Sequence, residues 1–190
     1  MPVGVDPAEA DTEAGLLALE AQLLLAEGLP GDALERARGL IDPGAAYGGM
    51  RSDGVRLALS AALEAALALR DEATVDRLLI LVESLPPGRT SPLLRAIGAR
   101  FAARRAGLRG DETTTEAGFA SAEELYRGIP APLELAATQV EHAEWLASAG
   151  RADEAEPLLA EAEEIYERMG AAPWLERIAG YRSEARIPAG

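Results

Sequence analysis

The chain has 190 residues, of which 48% are hydrophobic and 26% charged, the proportions of one soluble globular domain or one short repeat array. It has no Cys, no Lys and a single His, and all 18 basic residues are Arg, which excludes a lysine P-loop, Schiff-base chemistry, a thiol nucleophile and a structural zinc site. A formal net charge of -14 repels phosphate backbones and anionic lipid, so the expected partner is a protein or peptide, with no nucleic acid and no membrane.

Apolar residues recur at helical spacing along almost the whole chain, and no useful run alternates with period two, so an all-α fold is expected. Asp6-Pro7 with Glu9 supplies an N-cap, a first-turn proline and a capping-box acid for the first helix. Leu16, Leu17, Leu19, Leu23, Leu24 and Leu25 nearly surround that helix, which suggests packing on both sides: an array continuing upstream, or self-association. Short Gly- and Pro-rich breaks then separate further helices. The predicted organisation is a single helical-repeat domain over 1–190, with hairpins at about 7–42, 54–86, 92–128 and 132–170 and a cap helix at 173–186.

Internal repetition sets the expected architecture. A shift of 40 residues lays Pro92-Leu93 on Pro132-Leu133, Gly110 on Gly150, and Phe119-Ala-Ser-Ala-Glu-Glu-Leu-Tyr126 on Leu159-Ala-Glu-Ala-Glu-Glu-Ile-Tyr166. A further shift of 40 places Leu79, Val82 and Leu85 under Phe119, Ala122 and Leu125, and the first hairpin fits with a shift of about 42. A hairpin of this kind cannot bury its apolar face alone, so neighbouring hairpins are expected to stack.

The pattern Gly150, Ala155, Leu159 and Ala162 resembles the tetratricopeptide repeat, although Gln139, His142 and Ala143 stand where that repeat favours Trp, Leu and Gly. Three strings carry a narrower likeness: Glu116-Ala-Gly-Phe119, Leu135-Ala136 through Glu141-His-Ala-Glu-Trp-Leu146, and Ile165-Tyr166-Glu-Arg-Met-Gly-Ala-Ala-Pro-Trp-Leu-Glu-Arg177. Together they resemble the C-terminal repeats of large bacterial regulators that join an adenylate cyclase or a LuxR-type DNA-binding domain to an AAA-like ATPase. The resemblance implies a right-handed tetratricopeptide-like solenoid of about four hairpins plus a capping helix. It also implies a non-enzymatic interaction or regulatory module of a bacterial signalling or transcription-regulating protein. A small-molecule-sensing or dimerisation domain of such a regulator is the alternative. No catalytic, cofactor-binding or metal residue is expected, and no cofactor.

In tetratricopeptide-like stacks the first helix of each hairpin lines the concave face, which places Gln22, Ser60, Glu64, Arg100, Arg104, Val140 and Glu144 there. One reading is a peptide groove in which Arg100 and Arg104 hold a carboxylate while Glu64 and Glu144 hold a basic group. The other is an internal Glu–Arg–Glu ladder, each side chain pairing with the next repeat. His142, beside Glu141 and Glu144, reads as a half-buried, hydrogen-bonded histidine, since no GxSxG elbow accompanies it. The acids Glu154, Glu156, Glu161, Glu163, Glu164 and Glu167 read as a solvated helix face, with Glu164–Arg168 as an i,i+4 pair. Trp174, Ile178 and Tyr181 form a stripe that closes the array or makes a homodimer contact, and attachment to further domains stays open. The N-terminus lacks the basic and apolar regions of a signal peptide, and cytoplasmic localisation is the expectation.

Overall fold

A computed structural model describes residues 7–41, 50, 52–86 and 90–185. Among these residues the chain is all-α: nine helices and no strand. They are α1 (Pro7–Ala26), α2 (Pro30–Ile41), α3 (Asp53–Ala68), α4 (Glu72–Glu83), α5 (Pro92–Leu108), α6 (Glu112–Arg127), α7 (Pro132–Ser148), α8 (Ala152–Met169) and α9 (Ala172–Ala185). The cap assigned to Asp6 lies outside the described residues, as do positions 42 and 186 at the ends of the predicted first hairpin and cap helix.

Local chemistry explains the helix starts. Ser52 accepts the amide of Val55 at 3.3 Å and donates its hydroxyl to Asp11, so the cap of α3 is also tied to α1. Asp71 and Asp111, 40 residues apart, make the same cap. Each accepts the backbone N–H of the third residue on at 3.0 Å, and the hydroxyl of that threonine, Thr74 or Thr114, closes on the same carboxylate. Helices α2, α5 and α7 begin with proline, whose missing N–H costs nothing in a first turn.

The helix ends repeat more closely still. At Gly28, Arg70, Gly110 and Gly150 the backbone turns left-handed, with φ of 76°, 55°, 73° and 78°. In each case the amide of that residue reaches the carbonyl three positions back, and the next amide reaches five positions back, at 2.8–3.1 Å. This is the Schellman motif, and it ends α1, α3, α5 and α7 alike; α8 ends on it too, at Gly170 with φ of 66°. Four of these five positions are glycine, which takes positive φ without a Cβ clash; Arg70 is the exception.

The chain divides into two compact units, Met1–Leu94 and Arg95–Gly190. In the first, α3 is the centre: α1 and α2 pack on it and on each other, and α4 packs on α3. In the second, α7 packs on α6 and α8, and α8 on α9. A Cβ added to Gly118 of α6 would lie 2.9 Å from the Ala103 Cβ of α5, and one added to Gly107 of α5 would lie 3.4 Å from Trp145 of α7, so these helices also pass close together. Within each unit, helices therefore meet near neighbours in the chain.

Small residues set how closely they meet. α1 buries Ala10, Ala14, Ala18 and Ala21, one face at i, i+4, i+8 and i+11. A Cβ on Gly54 would sit 2.5 Å from the Gly15 nitrogen and 2.7 Å from the Ala14 Cβ, so α3 lies against the backbone of α1. Gly54→Ala is expected to destabilise the protein by about 1–3 kcal/mol through this backbone clash, read as a lower denaturant midpoint. Arg70→Gly is expected to raise the midpoint, since a left-handed non-glycine costs about 1–2 kcal/mol and glycine's extra chain entropy offsets only part of it.

Candidate functional site

The groove residues assigned from sequence fall in two sets. Gln22 of α1 and Ser60 and Glu64 of α3 are half-buried in the first unit. Arg100, Arg104, Val140 and Glu144 lie in the second, where the electrostatics are densest.

Arg100 and Arg104 are one turn apart on α5 and turn to the same carboxylate. Arg100 grips Glu141 of α7 with both arms of its guanidinium, Nε to Oε2 and Nη2 to Oε1, each at 2.7 Å. Arg104 approaches the same Oε1 at 3.0 Å. One turn further along α7, Glu144 accepts from Arg177 of α9 at 2.7 Å. Arginine–carboxylate pairs thus run from α5 through α7 to α9. Burial would raise the Glu141 carboxyl, but the charge and hydrogen bonds of Arg100, with Arg104 and Arg177 behind them, outweigh it. The group is held below the ordinary carboxylate range. Burial also pushes the Tyr126 phenol, near Arg100, up to about 12.

This geometry changes the peptide-groove assignment in two respects. The pair expected to clamp a partner's carboxylate already holds an internal one, so a ligand there would have to displace Glu141. Val140 is 1% exposed and belongs to the core, because its side of α7 faces neighbouring helices. Glu144 pairs with Arg177 of α9, and Arg104 pairs with Glu141, one turn before Glu144 on α7.

A second cluster centres on His142, which is buried on α7. Its Nδ1 lies 2.7 Å from Oε1 of Glu123 on α6, and since a carboxylate only accepts, Nδ1 is the donor. Phe119 stacks on one side of the ring at 5.0 Å, and Trp145 lies at 6.0 Å. Nε2 is buried without a hydrogen-bond partner, so the nitrogen that a nucleophile or substrate would need is closed off. Glu123 went unrecognised in the sequence, yet it carries a signal: an acid on the apolar stripe of Phe119, Ala122 and Tyr126, where a buried carboxylate needs a donor. Gln139, one turn before His142, is also fully buried; neither amide atom has a well-formed hydrogen bond, although Arg127 holds the Glu161 carboxyl down and the Gln139 side chain is near enough to help.

The acids of α8 are ion-pair partners as well as a wet face. Glu154 and Glu116 share Arg151, Glu161 binds Arg127 at 2.8 Å, and Glu156 and Glu163 share Arg182. Glu164 and Arg168 stand 3.8 Å apart as the i,i+4 pair. The stripe on α9 faces its own unit. Ile178 is fully buried and so unavailable to a partner molecule, and the Tyr181 hydroxyl donates to the Ala143 carbonyl at 3.4 Å. Trp174 is 40% exposed, stacks on Tyr166 at 5.6 Å and has the Arg177 guanidinium over its ring at 5.7 Å.

Among the described residues no group of His, Asp and Glu side chains could hold a metal ion, and no helix is long and apolar enough to cross a membrane. No protein-family model matches the chain, and no curated protein matches it.

Because the Glu141 carboxyl is lowered in the folded state, its stabilisation is complete above the unfolded-state value of about 4.3 and is lost as pH falls through the folded value. Glu141→Gln is expected to cost about 2 kcal/mol at pH 7 through the lost charged hydrogen bonds. It should also flatten the acid limb of a stability–pH curve measured by denaturant titration.

Proposed function

We propose that the chain is a non-enzymatic protein-interaction module whose hairpins are tetratricopeptide-like repeats, the regulatory or scaffold part of a bacterial signalling or transcription-regulating protein. The observation that carries this reading is the Schellman turn that ends the first helix of each hairpin, at Gly28, Arg70, Gly110 and Gly150, spaced by 42, 40 and 40 residues; α8 ends on the same motif at Gly170, before α9. A turn that recurs at the end of every first helix with nearly constant spacing is what copies of one hairpin would produce. Near-neighbour packing inside each unit supports the same reading, since repeat hairpins bury their apolar faces on adjacent copies. α9, with Ile178 buried and its polar residues outward, suits a closing helix.

The polar interior supports binding in preference to chemistry. Arg100, Arg104, Arg127, Arg151, Arg177 and Arg182 all have carboxylates within the second unit, and the one histidine has its free nitrogen buried. Such pairs hold helices in register and leave recognition to other surfaces.

Affinity capture of the tagged full chain from its host, followed by reconstitution from purified proteins, tests the proposal. A stoichiometric complex with another protein is expected to reform in size-exclusion chromatography. A chain that forms no such complex with any captured protein at micromolar concentration overturns the interaction reading. An immunoblot of the native product is expected to show a species several-fold larger than this chain; a product of the chain's own size overturns the assignment to a larger regulator.

A further inference from the structure

The first helix is built inside out. Its buried face is alanine, whereas Leu16, Leu19 and Leu23 are 60%, 58% and 59% exposed. A lone exposed leucine is ordinary, but a contiguous row is not. The spacing of three and then four residues is that of a coiled-coil seam. The exposure has a mechanical cause. Where α3 crosses α1, even one Cβ at Gly54 would collide with the α1 backbone, so leucine cannot be accommodated on that side. Rotating α1 to hide the leucines would force it away from α3, and the row therefore stays outward.

What flanks the row indicates what would cover it. Glu13, Glu20 and Glu27 recur every seven residues along one edge, all exposed, and the other edge carries Gly15 and Gln22. α1 contains no basic residue. Glu20 has an ion pair with Arg36 at 3.3 Å, with both side chains about half exposed. A second copy of the chain is a poor occupant. Paired antiparallel, it would set the glutamate edge against itself; paired parallel, it would set those glutamates beside Gly15 and Gln22. Neither arrangement supplies a cation, and each copy carries a net charge of -14. We propose that the Leu16–Leu19–Leu23 seam docks an amphipathic helix of a partner protein, with apolar residues at coiled-coil spacing and Lys or Arg along the edge that meets the glutamates. The proposal rests on the interaction-module reading and gives it a surface and a partner chemistry.

The test uses the full chain and two synthetic helical peptides of equal length and identical leucine seam, one with lysine and one with glutamate at the flanking positions. Fluorescence anisotropy is expected to show saturable binding of the lysine peptide, at least roughly tenfold tighter than the glutamate peptide. Leu19→Gln, at an exposed site, should keep the helical circular dichroism and melting temperature while losing that binding. Equal binding of the lysine peptide by Leu19→Gln would mean charge adhesion alone and overturns the seam. Self-association of the parent in sedimentation equilibrium, abolished by Leu19→Gln, overturns it in favour of a second copy. Host capture separates the two levels: a Leu19→Gln chain that retains the parent's stoichiometric partner sinks the seam alone, whereas a parent chain without any partner sinks the interaction reading.

Discussion

The contact between Gly54 and the backbone of α1 governs more of this molecule than any ion pair does. Hydrophobic burial per side chain is small for alanine and large for leucine, so a helix that buries alanine and shows leucine gives up transfer free energy. What it gains is proximity. With no side chain between them, α1 and α3 bring backbone and Cβ atoms into direct contact, and dispersion among many close atoms replaces part of the lost transfer term. Gly118 against Ala103 repeats the device in the second unit, where an added Cβ would lie 2.9 Å from its neighbour. Close packing of this sort leaves little slack, so the faces that cannot fit larger side chains fix the orientation of each helix and thereby of everything on its other faces.

Charge is arranged around that packing. Every side-chain cation apart from histidine is a guanidinium, a planar fork with several donors, and it is used as a fork. Arg100 makes two parallel bonds to Glu141, and Arg151 makes two to Glu116 while also holding Glu154. A lysine could match the charge of these contacts but not their direction. The strongly acidic composition is consistent with this use. Where an arginine is needed between two helices, more than one carboxylate is often at hand, and the surplus remains as net negative charge.

Much of the fold was legible because it is punctuated. Gly28, Gly110, Gly150 and Gly170 announced four of the five left-handed turns among the described residues, and Asp71 and Asp111 stand where a capping residue should. Arg70 gave no such signal, because a side chain that tolerates positive φ only at a cost is not chosen for its conformation; only the repeat register points to it. The alternating signs of Arg104 and Glu144 pointed to contacts between helices, but sequence spacing fixes a face and not the axial offset of the neighbouring helix, and Glu141 takes the place at Arg100 and Arg104. Glu123 was missed for a related reason: its partner His142 is 19 residues away on another helix. The leucines of α1 were visible as a group, yet by hydrophobicity they should be buried in preference to the alanines, and the reason they are not is a glycine in α3.

The habit of packing on near neighbours also shapes how the chain reaches its structure. Contacts between residues close along the sequence need only short loops to close, so little entropy is lost before they reward the chain. Helical proteins of this kind fold in about microseconds to milliseconds, faster than sheet proteins of equal stability. During synthesis α1, α2 and α3 have one another as partners before the second unit has left the ribosome, and the first unit can acquire its core while the rest is still being made.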